Sequence, residues 1–202
     1  MARRFDENRR EELLDGVMRI ISSRGFSDIT TMELAGELHC SGSTLYKIGA
    51  SKDSVVALAI AQWSKRKLAE MEDRALAGAA ATDRARLYWR AGVETIRPLS
   101  HAFRSDVDRF EWARLVYRTS LSEPFIDRFR ELLDEAIDAG ELEPMNTCFL
   151  AQALRQIAFL VRDEQVLSAC GITADQAMLE VDRMIWNGLR MPSVRPVLNS
   201  KI

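Results

Sequence analysis

Between Thr30 and Lys52 the chain reads TTMELAGELHCSGSTLYKIGASK, and its polar groups recur at spacings that suit bonding to phosphates and base edges. Ser43, Thr44, Tyr46 and Lys47 would stand on the outer side of a helix of about two turns whose Leu45 turns inward. Ser41 is placed to cap that helix, Gly42 opens it, and the helix N-terminus itself favours an anion. Thr30 and Thr31 mark the entry to the preceding helix. Lys52 falls in the first turn of the following one, placed for a phosphate. The candidate nucleic-acid contacts are therefore Thr30, Thr31, Ser41, Gly42, Ser43, Thr44, Tyr46, Lys47 and Lys52.

Other chemistry has little to stand on. His39 and His101 are far apart, and no Gly-rich phosphate loop or nucleophile elbow is present. Glu141 and Glu143 form an acidic pair beside Pro144, and Glu111 has no evident partner. Cys40, Cys148 and Cys170 are odd in number and lack metal spacing, which reads as free thiols; Cys40, beside the outward-facing helix, is a candidate redox sensor. No catalytic residue, metal or cofactor is expected, and the chain is not expected to be an enzyme.

The elements that must carry these residues are legible around them. Thr30 and Glu33 have the spacing of a capping box, so a helix starts near Thr31, with Leu34, Ala35 and Leu38 on its inner face. The run His39-Cys40-Ser41 breaks the periodicity, and Gly49-Ala50 ends the second helix before Ser51 caps a third. Two short helices joined by a tight turn make a helix-turn-helix, whose second helix enters the major groove of DNA. An ordinary surface hairpin has the same outline.

The region resembles the tetracycline-repressor (TetR) family of bacterial regulators. RREELLDGVMRIISSRGFSDITT is similar to the family's first helix, its Arg-Gly-aromatic turn at Arg24-Gly25-Phe26 and its Thr-rich entry to helix two. Glu33, Leu34, Ala35, Ser41, Thr44, Leu45, Tyr46, Ser51 and Lys52 match the pattern that follows. The likeness covers about the first 60 residues. The chain departs from the pattern at Leu38-His39-Cys40, where the family has Ala-Gly-Val, at Gly42, where Lys is frequent, and at Ile48-Gly49, in place of an aromatic pair.

Beyond Ser51 everything reads as helix, with no alternating strand pattern. The expected fold is all-α with about nine helices: a three-helix head over residues 1–51 and a helical body over 52–202. A long helix runs from Lys52 to Ala77, Thr82 caps the next, Pro98 kinks or ends it, and Ser122 with Pro124 starts another. Two apolar helices close the chain at about Asn146–Asp163 and Thr173–Arg190.

The resemblance implies what the body does. Its last two helices would pair with those of a second copy, through Leu150, Leu154, Ile157, Val161, Met178, Val181, Ile185 and Leu189. An effector site would lie among the middle helices, whose Trp63, Trp89, Phe103, Phe110, Trp112 and Tyr117 suit a small apolar or aromatic molecule. The expected function is a homodimeric transcriptional regulator, a repressor released from a near-palindromic operator by that effector. The departures leave a second reading open, a helical ligand-binding or scaffold dimer with weak or lost DNA binding.

Composition sets the outer bounds. The chain has 202 residues, is 47% hydrophobic and carries a net charge of −2. Residues 1–67 hold 11 Lys/Arg against 9 Asp/Glu, so the head is slightly basic within an acidic whole. Arg3 and Arg4 precede the first helix, either as a basic arm toward a groove or phosphate or, the reading preferred, as a solvated terminus. No apolar run approaches the roughly 18 residues of a membrane span, and the charged N-terminus is unlike a secretory signal, so a cytoplasmic protein is expected.

Overall fold

The computed structural model describes residues 7–161 and 163–188, and among these the structure is all-α. The helices are α1 (Glu7–Arg24), α2 (Thr31–Glu37), α3 (Gly42–Tyr46), α4 (Lys52–Ala75), α5 (Ala81–Ile96), α6 (His101–Arg109), α7 (Glu111–Tyr117), α8 (Glu123–Asp138), α9 (Thr147–Leu160), α10 (Glu164–Cys170) and α11 (Ala174–Gly188). A π-helical turn, Arg118–Ser122, joins α7 to α8 without a break. Arg3, Arg4, Leu189 and the tail after Arg190 lie outside the described residues.

The chain divides into two compact units. The first comprises Met1–Asp73 and Arg90–Phe125, the second Arg74–Trp89 and Ile126–Ile202. In the first unit α1 buries Leu13, Leu14, Val17, Met18 and Ile21 along one stripe, the 3.6-residue periodicity of a core-facing helix. Leu34, Ala35, Leu45, Val55, Val56 and Ile60 complete the core of the head. Ser64 of α4 is fully buried, and the Ser120 hydroxyl from the π-helical turn donates to it at 3.2 Å.

The second unit is built on α8, which buries Ile126, Phe129, Leu132, Leu133 and Ala136. Phe129 stands between Trp89, with ring centroids 5.0 Å apart, and Trp186, at 6.3 Å. The Trp186 indole donates to Asp182 Oδ1 at 3.1 Å, and the Arg86 guanidinium lies 4.9 Å over its ring.

Several helix ends differ from the sequence expectation. α5 starts at Ala81 and is capped from outside: Glu141, from the loop after α8, accepts from the Ala81 and Thr82 amides at 3.1 and 2.8 Å. These bonds, with the Thr82 amide foremost, hold the Glu141 carboxyl below its ordinary value. Thr82, expected as the cap, is instead a helical residue whose amide is bonded by Glu141. Glu141 thus has a structural task. α6 stops at Phe110, which has extended backbone and no side-chain cap. The helix read to Asp163 ends at Leu160; Asp163 instead caps α10 by accepting from Gln165 N and Val166 N, and left-handed Gly171 closes it.

Candidate nucleic-acid interface

The helix-turn-helix is set by local bonding. The Thr30 hydroxyl accepts from Glu33 N at 3.2 Å, and Glu33 Oε2 accepts from Thr30 N at 2.7 Å. The Thr30 bonds hold the Glu33 carboxyl below its usual range, so it is ionised at neutral pH. At the other end of α2, Cys40 N donates to Ala35 O at 2.9 Å and His39 N to Gly36 O at 3.1 Å. That is a Schellman closure, and His39 takes its left-handed position at φ 49°. His39 stands at the position where the family pattern has glycine.

Ser41 then caps α3. Its Oγ accepts from Thr44 N at 3.2 Å and lies 2.8 Å from both Ser43 Oγ and Thr44 Oγ1. Leu45 is fully buried, while Ser41, Ser43 and Lys47 are exposed and Tyr46 is 56% exposed. The structure therefore gathers Ser41, Gly42, Ser43, Thr44, Tyr46 and Lys47 on one short helix and its cap. Thr30 is exposed and Thr31 half-buried at the start of α2. Cys40 is half-buried beside them; burial pushes its thiol up, which works against a reactive thiolate. All three cysteines are free.

Lys52 differs from the expectation. Its ammonium donates to Phe26 O at 2.9 Å and Ser27 O at 3.2 Å, so two of its three donors are engaged by the α1–α2 turn. The amides of the same turn are held from the other side: Asp106 Oδ2, buried on α6, accepts from Phe26 N at 2.5 Å and Ser27 N at 2.8 Å. Sequence reasoning did not single out Asp106, whose partners lie 80 and 79 residues away.

The expected effector aromatics separate. Phe103, Phe110 and Trp112 surround Phe26, with centroids 6.1, 5.8 and 5.5 Å from its ring, and Tyr117 packs on Phe103 at 6.3 Å. These four are joined to the head's first turn. Trp63 is buried on α4, and Trp89 packs on Phe129 in the second unit. Of the expected dimer contacts, Leu154, Val161, Val181 and Ile185 are buried within the chain, while Leu150, Ile157 and Met178 are half-buried. Among the described residues, Phe149, Leu160, Leu179 and Met184 are large apolar side chains left exposed on α9 and α11.

The site of the aromatic missing after α3 is already filled. A Cβ on Gly49 would come 2.6 Å from Ser54 Oγ and 2.9 Å from Val55 N. Ser54 cannot readily yield, because its Oγ accepts from Ser51 N at 2.8 Å in the cap of α4. Among the described residues no three His, Cys, Asp or Glu side chains gather to hold a metal, and no helix is long and apolar enough to cross a membrane.

No family model matches the chain, and no curated protein matches it. Solved structures do. The reduced form of NemR from E. coli is 14% identical with a TM-score of 0.73, covering 91% of this chain and 99% of its own. A TetR transcription regulator from Haloarcula marismortui is 17% identical at 0.72, covering 92% and 100%. A choline complex of a protein from Saccharomonospora viridis, described as a transcriptional regulator, is 14% identical at 0.73, covering 91% and 98%. At these identities the likeness is one of architecture: the chain has the TetR fold over nearly its whole length.

Proposed function

We propose that the chain is a DNA-binding transcriptional regulator, a homodimeric repressor released from a near-palindromic operator by a small apolar effector. The observation that carries this is the α2–α3 surface. A capped recognition helix presents hydroxyls, an exposed phenol and a lysine, while its only large aliphatic side chain, Leu45, is buried. The names of the similar structures favour the same reading, and the choline complex is a member of that fold with a small molecule bound.

The dimer is assigned to α9 and α11, whose exposed Phe149, Leu160, Leu179 and Met184 would be covered by a second copy. The effector is assigned to the second unit, where Trp89, Phe129 and Trp186 stand in ring contact. Effector binding favours a state in which α4 and α6 reset the spacing of the two heads, a population shift needing a coupling of about 1–3 kcal/mol. Asp106 and Lys52 are the connections through which those helices hold the head.

One observation favours a second reading. With Lys52 bonded to carbonyls, Lys47 is the lysine left on the candidate surface, which suits a head that binds DNA weakly. Fluorescence anisotropy with DNA from upstream of the chain's own gene, at two salt concentrations, separates the two. Salt-dependent binding about a thousandfold tighter than to unrelated DNA is expected. Lys47→Ala should weaken it and lower the salt slope by about two, one for each protomer of the dimer. Equal, weak binding to both DNAs would favour the scaffold reading.

A further inference from the structure

We propose that Met32 reads sequence: its side chain meets the C5 methyl group of a thymine in the major groove, beside the start of α3. The inference rests on the DNA-binding reading above and deepens it. Met32 is the second residue of α2, and that helix already has its inward face in Leu34 and Ala35. Met32 is left 73% exposed. Its sulfur nevertheless lies against the recognition helix, because a Cβ built on Gly42 would stand 3.3 Å from Met32 Sδ. The thioether thus covers ground that a larger residue at 42 would occupy. Residue 42 opens α3, and the N-terminal residues of a recognition helix are those that reach base edges.

The chemistry around Met32 is otherwise polar. Ser41, Ser43 and Thr44 supply hydroxyls that already bond one another, and each can meet a phosphate or a base acceptor. Neither serine carries a group that selects the feature marking thymine in the major groove, a methyl group; an apolar contact selects it, from Met32 or from the Thr44 methyl, and the Met32→Ala arm of the test separates the two. A thioether on three rotatable bonds can reach it and adapt to it.

The test begins by selecting duplexes from a random library with the wild-type protein. Each thymine of the selected duplex is then replaced singly by deoxyuridine, which lacks only the methyl group, and affinities are read by anisotropy for wild type, Met32→Ala and Met32→Leu. At one thymine in each half-site, loss of the methyl should weaken wild type and Met32→Leu about fourfold, the worth of one methyl group withdrawn from water. Met32→Ala should be indifferent to that replacement and should melt at the wild-type temperature, since Met32 is exposed. If no replacement weakens the wild type, or if Met32→Ala suffers the same loss, the inference is overturned while DNA binding stands. Failure to enrich any sequence would overturn both.

Discussion

Two turns in the head end their helices with a left-handed residue and are otherwise built on opposite plans. The turn after α1 has Gly25 at φ 79° and is braced by distant side chains, with Asp106 taking its amides and Lys52 its carbonyls. The turn after α2 has His39 at φ 49° and is closed by its own backbone. The first must pass the position of α6 and α4 to the head, so it is buried and cross-linked. The second must leave the recognition helix open to a partner, so the amides of His39 and Cys40 are bonded by the turn's own backbone, and the Arg24–Glu37 ion pair reaches only the last residue of α2. A turn that only redirects the chain can be closed locally; one that fixes an element against others needs groups from those elements.

The sharpest way to break this contrast is Gly25→Ala. A Cβ there would stand 2.5 Å from Asp106 Oδ2 and 3.1 Å from the Ala102 carbonyl, on a backbone conformation that L side chains avoid. Strain and crowding together should cost about 3 kcal/mol in urea unfolding. A loss below about 1 kcal/mol would mean that the turn is not clamped.

Asp106→Ala should come next, at about 2 kcal/mol, because it strands the buried Phe26 amide and the partly buried Ser27 amide. It should also change operator affinity although Asp106 lies on α6. If stability falls while affinity, corrected for the folded fraction, stays unchanged, the clamp is only structural.

What was legible in the sequence follows the same division. Thr30 with Glu33, Ser41 with Thr44, and Gly25 act within a few residues, so their pattern displays the helix-turn-helix directly. Asp106 is invisible by that route because its role exists only once α6 packs against the turn. Lys52 had the right charge in a plausible place, but its bonds are made to carbonyls 26 and 25 residues earlier. Phe110 separates α6 from α7 with no local signal, through extended backbone beside a ring that packs on Phe26. Asp163 and Gly171 did carry signals for α10, and apolar periodicity ran over the first of them. The same periodicity marks Leu154 and Leu160 alike, although one is buried and the other exposed.

Replacing His39 by glycine sharpens the other side of the comparison. If the second turn is held by backbone alone, relieving its left-handed residue should raise stability by about 1 kcal/mol, seen as an upward shift in Tm. An unchanged or lower Tm would mean that the imidazole makes a compensating contact, and the two turns would then be less different than they look.

The smallest expected effect concerns how α2 begins. Its capping box is as local as the turn that ends it, and the Glu33 carboxyl lies below its ordinary value of 4.5 because the Thr30 amide and hydroxyl bond its charged form. A carboxyl lowered on folding adds stability above its unfolded value, and that stability is lost as pH falls through the lower folded value. Glu33→Gln should therefore be slightly less stable than wild type at pH 7, and the gap should close as the pH drops below about 4.5. Because Glu33 is exposed, solvent keeps the gap small. A gap that persisted in acid would assign the loss to the shape of the side chain and not to its charge, leaving the start of α2 held by something beyond the local box.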